Sequence, residues 1–191
     1  MLFRSFKAGD TTIFIPGFEM SLADRAKKPY QVLVPSLYSE ALFPTLQKFF
    51  DPLRPDKTYT NGSRDYLCFR LADTYLLLAE ALLNSGKPKE ATDAVNVVRT
   101  RAAWAGKTAA MQVTQAQVNM DFIMEERARE LAGEQTRWAD LKRWGKLVER
   151  VKLYNPQASA ISEMHNVRPI PQAQIDRTAD GKTAFPQNPG Y

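Results

Sequence analysis

The chain has 191 residues, 44% of them apolar, and a net charge of +5 from 26 Lys and Arg against 21 Asp and Glu. It is therefore long enough for a packed core and only mildly basic. The basic side chains are dispersed beside acidic ones, as in Glu125-Glu126-Arg127 and Asp140-Leu141-Lys142-Arg143, a solvated helix surface rather than the basic stripe of a nucleic-acid binder.

Cys68 is the single cysteine, so no internal disulfide can form, and no Cys/His cluster has zinc spacing. Lying between Leu67 and Phe69, it is expected to be a buried, inert thiol. Residues 1–10 lack the apolar run of about 7–15 residues of a secretory signal. No run approaches the ~20 apolar residues of a membrane span.

Prolines 16, 29, 35, 44, 52 and 55 punctuate residues 1–66 and argue against long helices there. Residues 11–15 (TTIFI) and 30–34 (YQVLV) are strand-like in their β-branched and aromatic content. Residues 46–50 suggest a short helical turn, and Asn61-Gly62-Ser63 marks a turn. The loop-rich segment 1–66 is followed by an expected helical core, 67–155, and an extended tail, 156–191, packed on the helices as part of one domain.

In the first helix, Leu71, Tyr75, Leu78, Ala79, Leu82 and Leu83 recur at three- and four-residue steps and predict one apolar face. Ser85-Gly86-Lys87-Pro88 stops it and starts the next, since Gly suits the αL position after a helix and Pro the first helical turn. The second helix presents Ala91, Ala94, Val95 and Val98 and ends near Ala103. Residues 105–113 are expected to be a loop. Thr114 and Gln117 have the spacing of a capping box for a third helix that buries Val118, Phe122, Ile123 and Leu131 and breaks at Gly133. A fourth helix is predicted over residues 136–151.

The first helix pair carries the packing positions of a tetratricopeptide repeat. Counting from Ala72, Tyr75 falls at the fourth position, Ala79 at the eighth, Gly86 at the fifteenth and Ala91 at the twentieth. One such repeat cannot bury its face alone. The covering surface must come from the third and fourth helices or from helices outside the chain.

Glu125, Glu126, Glu130 and Glu134 stand on one predicted helix, where paired carboxylates could do acid/base work. Arg127, Arg129, Arg137 and Arg143 stand ready for ion pairs instead, and a structural network is the expectation. No catalytic residue is assigned. Trp138 and Trp144, with Leu141 between them, are expected to anchor helix packing with arginines laid over them. Trp104 follows a helix end and opens a Gly/Lys loop, so it is a candidate ligand platform. Tyr38 and Tyr59, in proline-rich loops, are further candidates. His165 stands apart from any Cys or Ser motif. No phosphate-binding glycine motif or calcium-loop spacing appears, so no cofactor or metal is expected.

Four blocks, in order, carry a resemblance: residues 69–102, 122–147, 168–176 (RPIPQAQID) and 185–191 (FPQNPGY). With Asp10-Thr11-Thr12-Ile13-Phe14-Ile15-Pro16-Gly17 upstream, the chain resembles the C-terminal part of the SusD/RagB family of nutrient-binding outer-membrane lipoproteins. The family stretch ER-x-x-EL…RW-x-DL-x-RW is matched by Glu126-Arg127, Glu130-Leu131, Arg137-Trp138, Asp140-Leu141 and Arg143-Trp144. Departures are Asp73 for a glutamate, Arg168 for a leucine and Gln174 for a glutamate.

The resemblance implies a mainly α fold of tetratricopeptide-like helix pairs, with long proline-rich loops and a loop-rich C-terminal tail. It implies a binding protein and not an enzyme, held at the outer-membrane surface by a lipid anchor that these residues do not contain. It would capture glycans or peptides for a SusC-like TonB-dependent transporter. Family members are more than twice this length, so a C-terminal portion of a larger protein is expected. The alternatives are a tetratricopeptide-like intracellular adaptor for a partner protein and a hydrolase using Glu126 and Glu130.

Overall fold

The computed structural model describes residue 7 and residues 9–56 and 58–191. Residues 1–6 and 8, most of the stretch read above for an export signal, lie outside these. The chain divides into two compact units, Met1–Arg64 and Asp65–Tyr191.

In the first unit the prolines keep every element short. Strands β1 (Ile13–Phe14) and β2 (Gln31–Val32) pair in parallel, Ile13 opposite Gln31 and Phe14 opposite Val32. Both fall inside the strand-like segments read from the sequence. Helix α1 (Leu22–Ala26) starts at Ser21, whose Oγ accepts the Asp24 N–H at 3.1 Å. Single 3-10 turns follow at Pro35–Leu37 and Gln47–Phe49. Among the described residues of this unit, the buried apolar side chains are Pro16, Val32, Leu33 and Val34. Asp51 is also buried and accepts the N–H groups of Leu53 (3.0 Å) and Ser63 (2.8 Å) and the Ser63 hydroxyl (3.0 Å). It thus pins the Asn61-Gly62-Ser63 turn.

The second unit is built on a helical hairpin, α2 (Leu71–Asn84) and α3 (Pro88–Ala102). At its turn Gly86 takes φ +73°, and the Lys87 N–H reaches back to the Leu82 carbonyl at 2.9 Å, a left-handed helix stop that favours glycine. Ala79 and Ala91 are fully buried, and small side chains such as these let two helix backbones approach closely. Ala72, Leu76, Ala94, Val95 and Val98 complete the interface with Val118 and Ile123.

Three sequence expectations for this core are corrected. The buried face of α2 is centred on Ala72, Leu76 and Ala79, whereas Leu71 and Leu78 are 68% and 46% exposed. The loop expected over 105–113 contains a one-turn helix, α4 (Thr108–Met111). The Thr114/Gln117 box, in which the Thr114 N–H donates to Gln117 Oε1 at 2.8 Å, encloses a 3-10 turn. The helix itself, α5 (Met120–Glu130), is capped by Asn119, whose Oδ1 accepts the Phe122 N–H at 2.8 Å.

The predicted fourth helix is two helices, α6 (Arg137–Arg143) and α7 (Leu147–Tyr154). Gly145 at φ +64° separates them, and the Lys146 N–H closes onto the Leu141 carbonyl at 2.8 Å. Short helices α8 (Gln172–Asp176) and α9 (Gly181–Ala184) lie in the tail. There, side chains stand in for a paired strand. Gln187 donates to the Ile170 carbonyl (2.8 Å) and accepts the Ile170 N–H (2.7 Å). Asn188 donates to the Arg168 carbonyl (2.7 Å) and the Tyr191 hydroxyl to that of Val167 (3.0 Å). Gly190 has φ +96°, and a Cβ there would meet Met164 Cβ at 3.0 Å. Of the expected tail anchors, Ile175 is buried, Ile170 is half-buried and Phe185 is exposed.

Candidate functional site

Trp104 stands at the first position of a turn that follows α3. The Lys107 N–H donates to the Trp104 carbonyl at 2.9 Å, and Gly106 takes φ +74°, the positive φ that a type II turn demands at its third residue. The turn fixes the backbone and leaves the indole 84% exposed. In the first unit Tyr38 follows the 3-10 turn Pro35–Leu37, and the Tyr59 carbonyl accepts Arg54 Nη1 at 3.0 Å. Both rings are exposed.

Phe69, 83% exposed, was not singled out from the sequence; nor was Tyr66, also exposed. Cys68 between them is exposed too, contrary to expectation. An apolar run in an extended segment has no periodicity to turn one side inward.

Of the four glutamates expected on one helix, Glu125, Glu126 and Glu130 lie on α5 and Glu134 lies past its end, because the helix stops at Glu130; all four are engaged. Glu125 accepts Arg150 Nη1 (2.5 Å), Glu126 accepts Arg99 and Arg129 (both 2.7 Å), Glu130 accepts Arg70 (2.5 Å) and Arg101, and Glu134 accepts Arg70 (2.7 Å). Of the arginines named from the sequence, Arg129 pairs within the series, with Glu126. Arg137 donates to the Met124 carbonyl at 3.0 Å, and burial lowers its pKa. Arg127, 3% exposed in its side chain, joins Asp140 (2.8 Å) to Asp73, where 2.7 Å separates the charges without hydrogen-bond geometry.

Arg143 spans Glu80 (2.5 Å) and Asp140 (3.0 Å) and lies 4.4 Å over the Trp144 ring, whose Nε1 donates to Glu80 at 2.9 Å. Burial would raise the Glu80 carboxyl, but the Arg143 and Trp144 hydrogen bonds outweigh it and hold the group below its ordinary value. The Glu134 hydrogen bond, opposed by burial, raises Arg70. Arg168 lies 5.6 Å over Trp138. Both tryptophans are half-buried under arginines, as expected. These carboxylates join helices through arginine side chains.

His165 also has a structural part, since its Nδ1 accepts the Ser162 N–H at 3.1 Å. The second unit is a helical frame that exposes Trp104, and the first unit separately exposes Tyr38 and Tyr59.

Residues 38–191 match the SusD family. The chain belongs to that family. SusD-like protein P25 of Formosa agariphila is 32% identical over 138 residues, which are 70% of this chain and 26% of P25. SusD-like protein P38 of the same organism is 39% identical over 88 residues, 44% of this chain and 18% of P38. The chain spans about a quarter of the length of P25.

In this SusD-family chain the α2, α5 and α6 side chains also border an open hollow of about 510 Å3. Tyr66, Phe69, Leu77 and Ala139 form apolar walls, and Asp73 and Arg127 lie among its polar lining. Gln135, at the mouth, has φ +62°, a left-handed conformation uncommon for a residue other than glycine. Among the described residues no helix is long and apolar enough to cross a membrane.

Proposed function

We propose that this protein takes part in capturing nutrient glycans, or peptides, at the outer-membrane surface and passing them to a SusC-like TonB-dependent transporter. The SusD-family match over residues 38–191 carries this reading. Binding is by aromatic stacking on sugar faces and hydrogen bonds from loop polar groups, with no covalent step and no cofactor. Attachment to the membrane is through a lipid. Trp104, Tyr38 and Tyr59 are the proposed contact residues, and the turn-mounted, exposed indole of Trp104 is the best presented of them. The engagement by arginine of Glu125, Glu126 and Glu130 on α5, and of Glu134 past its end, supports a binding protein over a hydrolase.

Electrophoresis through gels containing individual polysaccharides, with calorimetry against peptide digests, tests the reading. At least one glycan or peptide class should bind, and Trp104→Ala should weaken that binding about tenfold, equivalent to ~1.4 kcal/mol. A chain with intact helical circular dichroism that binds neither class would overturn it.

A further inference from the structure

The hollow bordered by α2, α5 and α6 has the lining of a small-molecule site. Its volume, about 510 Å3, falls within the ~300–1,000 Å3 usual for such sites. The rings of Tyr66 and Phe69 line it, and they are 51% and 83% exposed. Gln135 and Thr136 line it too. Thr136 precedes the first residue of α6, where a threonine hydroxyl ordinarily caps a backbone N–H, yet it makes no such bond. Among the described residues no hydrogen bond engages the Thr136 hydroxyl or the Gln135 amide. Gln135 is held at φ +62°. A residue other than glycine carries strain in this left-handed region, and such strain gathers at ligand clamps. Here it sets an uncommitted amide at the mouth of the hollow, next to an uncommitted hydroxyl.

We propose that this hollow is a second saccharide site, separate from Trp104, which is not among its lining residues, and that it takes a neutral pyranose ring. The inference rests on the glycan reading above. The apolar face of the ring stacks on Phe69 and Tyr66. Its hydroxyls exchange hydrogen bonds with Gln135 and Thr136, whose side chains both donate and accept, as sugar hydroxyls do. The charged part of the lining turns away acidic sugars. Arg127 is already bound by Asp140 and lies against Asp73, and Arg143 is bound by Glu80 and Asp140. Neither guanidinium is left to meet a uronate or a sulfate, which Asp73, Glu134 and Asp140 in the same lining would repel. None of the lining residues lies on a strand whose edge could add an extended peptide. Cys68 lines the hollow and is exposed, so a seated sugar covers the single thiol of the chain.

The test uses that thiol. Maltotriose, laminaritriose and cellotriose are titrated by calorimetry beside trigalacturonate, and alkylation of Cys68 by iodoacetamide is timed with and without each. At least one neutral trisaccharide should bind, and at ten times its Kd, where about a tenth of the sites stay open, it should slow alkylation about tenfold. Trigalacturonate should do neither. Phe69→Ala and Gln135→Gly should each weaken the binding about tenfold. Gln135→Gly is the sharper variant, because glycine adopts φ +62° without strain. Its urea midpoint should hold or rise while its affinity falls, which loss of folding cannot imitate. Binding of any glycan, in solution or in a polysaccharide gel, that both variants leave intact and that does not slow Cys68 would overturn this site and leave the Trp104 reading standing. A peptide or trigalacturonate that shields Cys68 where the neutral sugars do not would overturn the ligand class. A folded chain that binds no glycan at all would overturn this site and the glycan reading together.

Discussion

Among the described residues of the first unit, the buried apolar side chains are Pro16 and the consecutive Val32, Leu33 and Val34, and the buried Asp51 binds two backbone N–H groups. In the second, buried Glu80, Glu126, Arg127, Glu134, Asp140 and Arg150 alternate with alanine and leucine across the helices. The first unit fixes its loops through side chain to backbone bonds, the local solution open to proline-rich sequence. The second joins helices through charged side chains far apart in sequence, such as Arg70 with Glu134 and Arg143 with Glu80. Local bonds hold one loop each. A shared arginine holds several elements at once, so damage to it should spread.

Arg127→Met puts that contrast under the largest strain. It leaves Asp73 and Asp140 without their common partner, and breaking a buried pair costs about 3–5 kcal/mol. Urea unfolding followed by helical circular dichroism should show a loss of that size; a loss below ~1 kcal/mol would mean that solvent already screens the network. In the first unit, Asp51→Ala removes a local acceptor and should lower the urea midpoint by less than Arg127→Met does. Its effect should be confined. Amide hydrogen exchange should quicken at Leu53 and Ser63 and stay unchanged along α2 and α3. Faster exchange along those helices would erase the distinction between local and shared anchoring.

Acid sharpens the same comparison through Glu80. Its folded pKa lies below the ordinary value of 4.5. Its contribution to stability is therefore fully present above that value and is lost as pH falls through the folded pKa. The urea midpoint should drop below pH 4.5, and Glu80→Gln should show a smaller drop over that window. Equal drops in the two proteins would remove Glu80 from the acid response.

How much of this was legible in the sequence follows the same division. Ala91, Ala94, Val95 and Val98 are buried on α3 as expected, because charged residues on its other side fix the phase. On α2 the leucines at 71, 76, 77, 78, 82 and 83 fit several faces equally well, and Asp73 and Glu80 mark the polar strip only once their partners are known. The capping box at Thr114 was readable, but the same bonds close a 3-10 turn. Gly145 was readable as a glycine; that it ends a helix depends on the Lys146 to Leu141 hydrogen bond. Long-range arginine pairings have no sequence period, so Arg70, Arg99 and Arg150 were not anticipated as partners of the glutamate series. The aromatic candidates were legible as loop aromatics, and the structure adds their exposure and the turn that carries Trp104.

The smallest expected effect is at Leu53, beside Asp51. Its N–H donates to Asp51 Oδ1 at 3.0 Å, while its side chain is 81% exposed. A bond made by the backbone is indifferent to the side chain, and an exposed leucine has little transfer energy left to lose on becoming polar. Leu53→Ser should therefore change the unfolding free energy by less than about 0.5 kcal/mol and leave amide exchange at Ser63 untouched. A loss above ~1 kcal/mol in the same urea measurement would show that the Leu53 side chain is covered in solution. The first unit would then depend on apolar contacts there, as the second does at Leu76, and not on the Asp51 bonds alone.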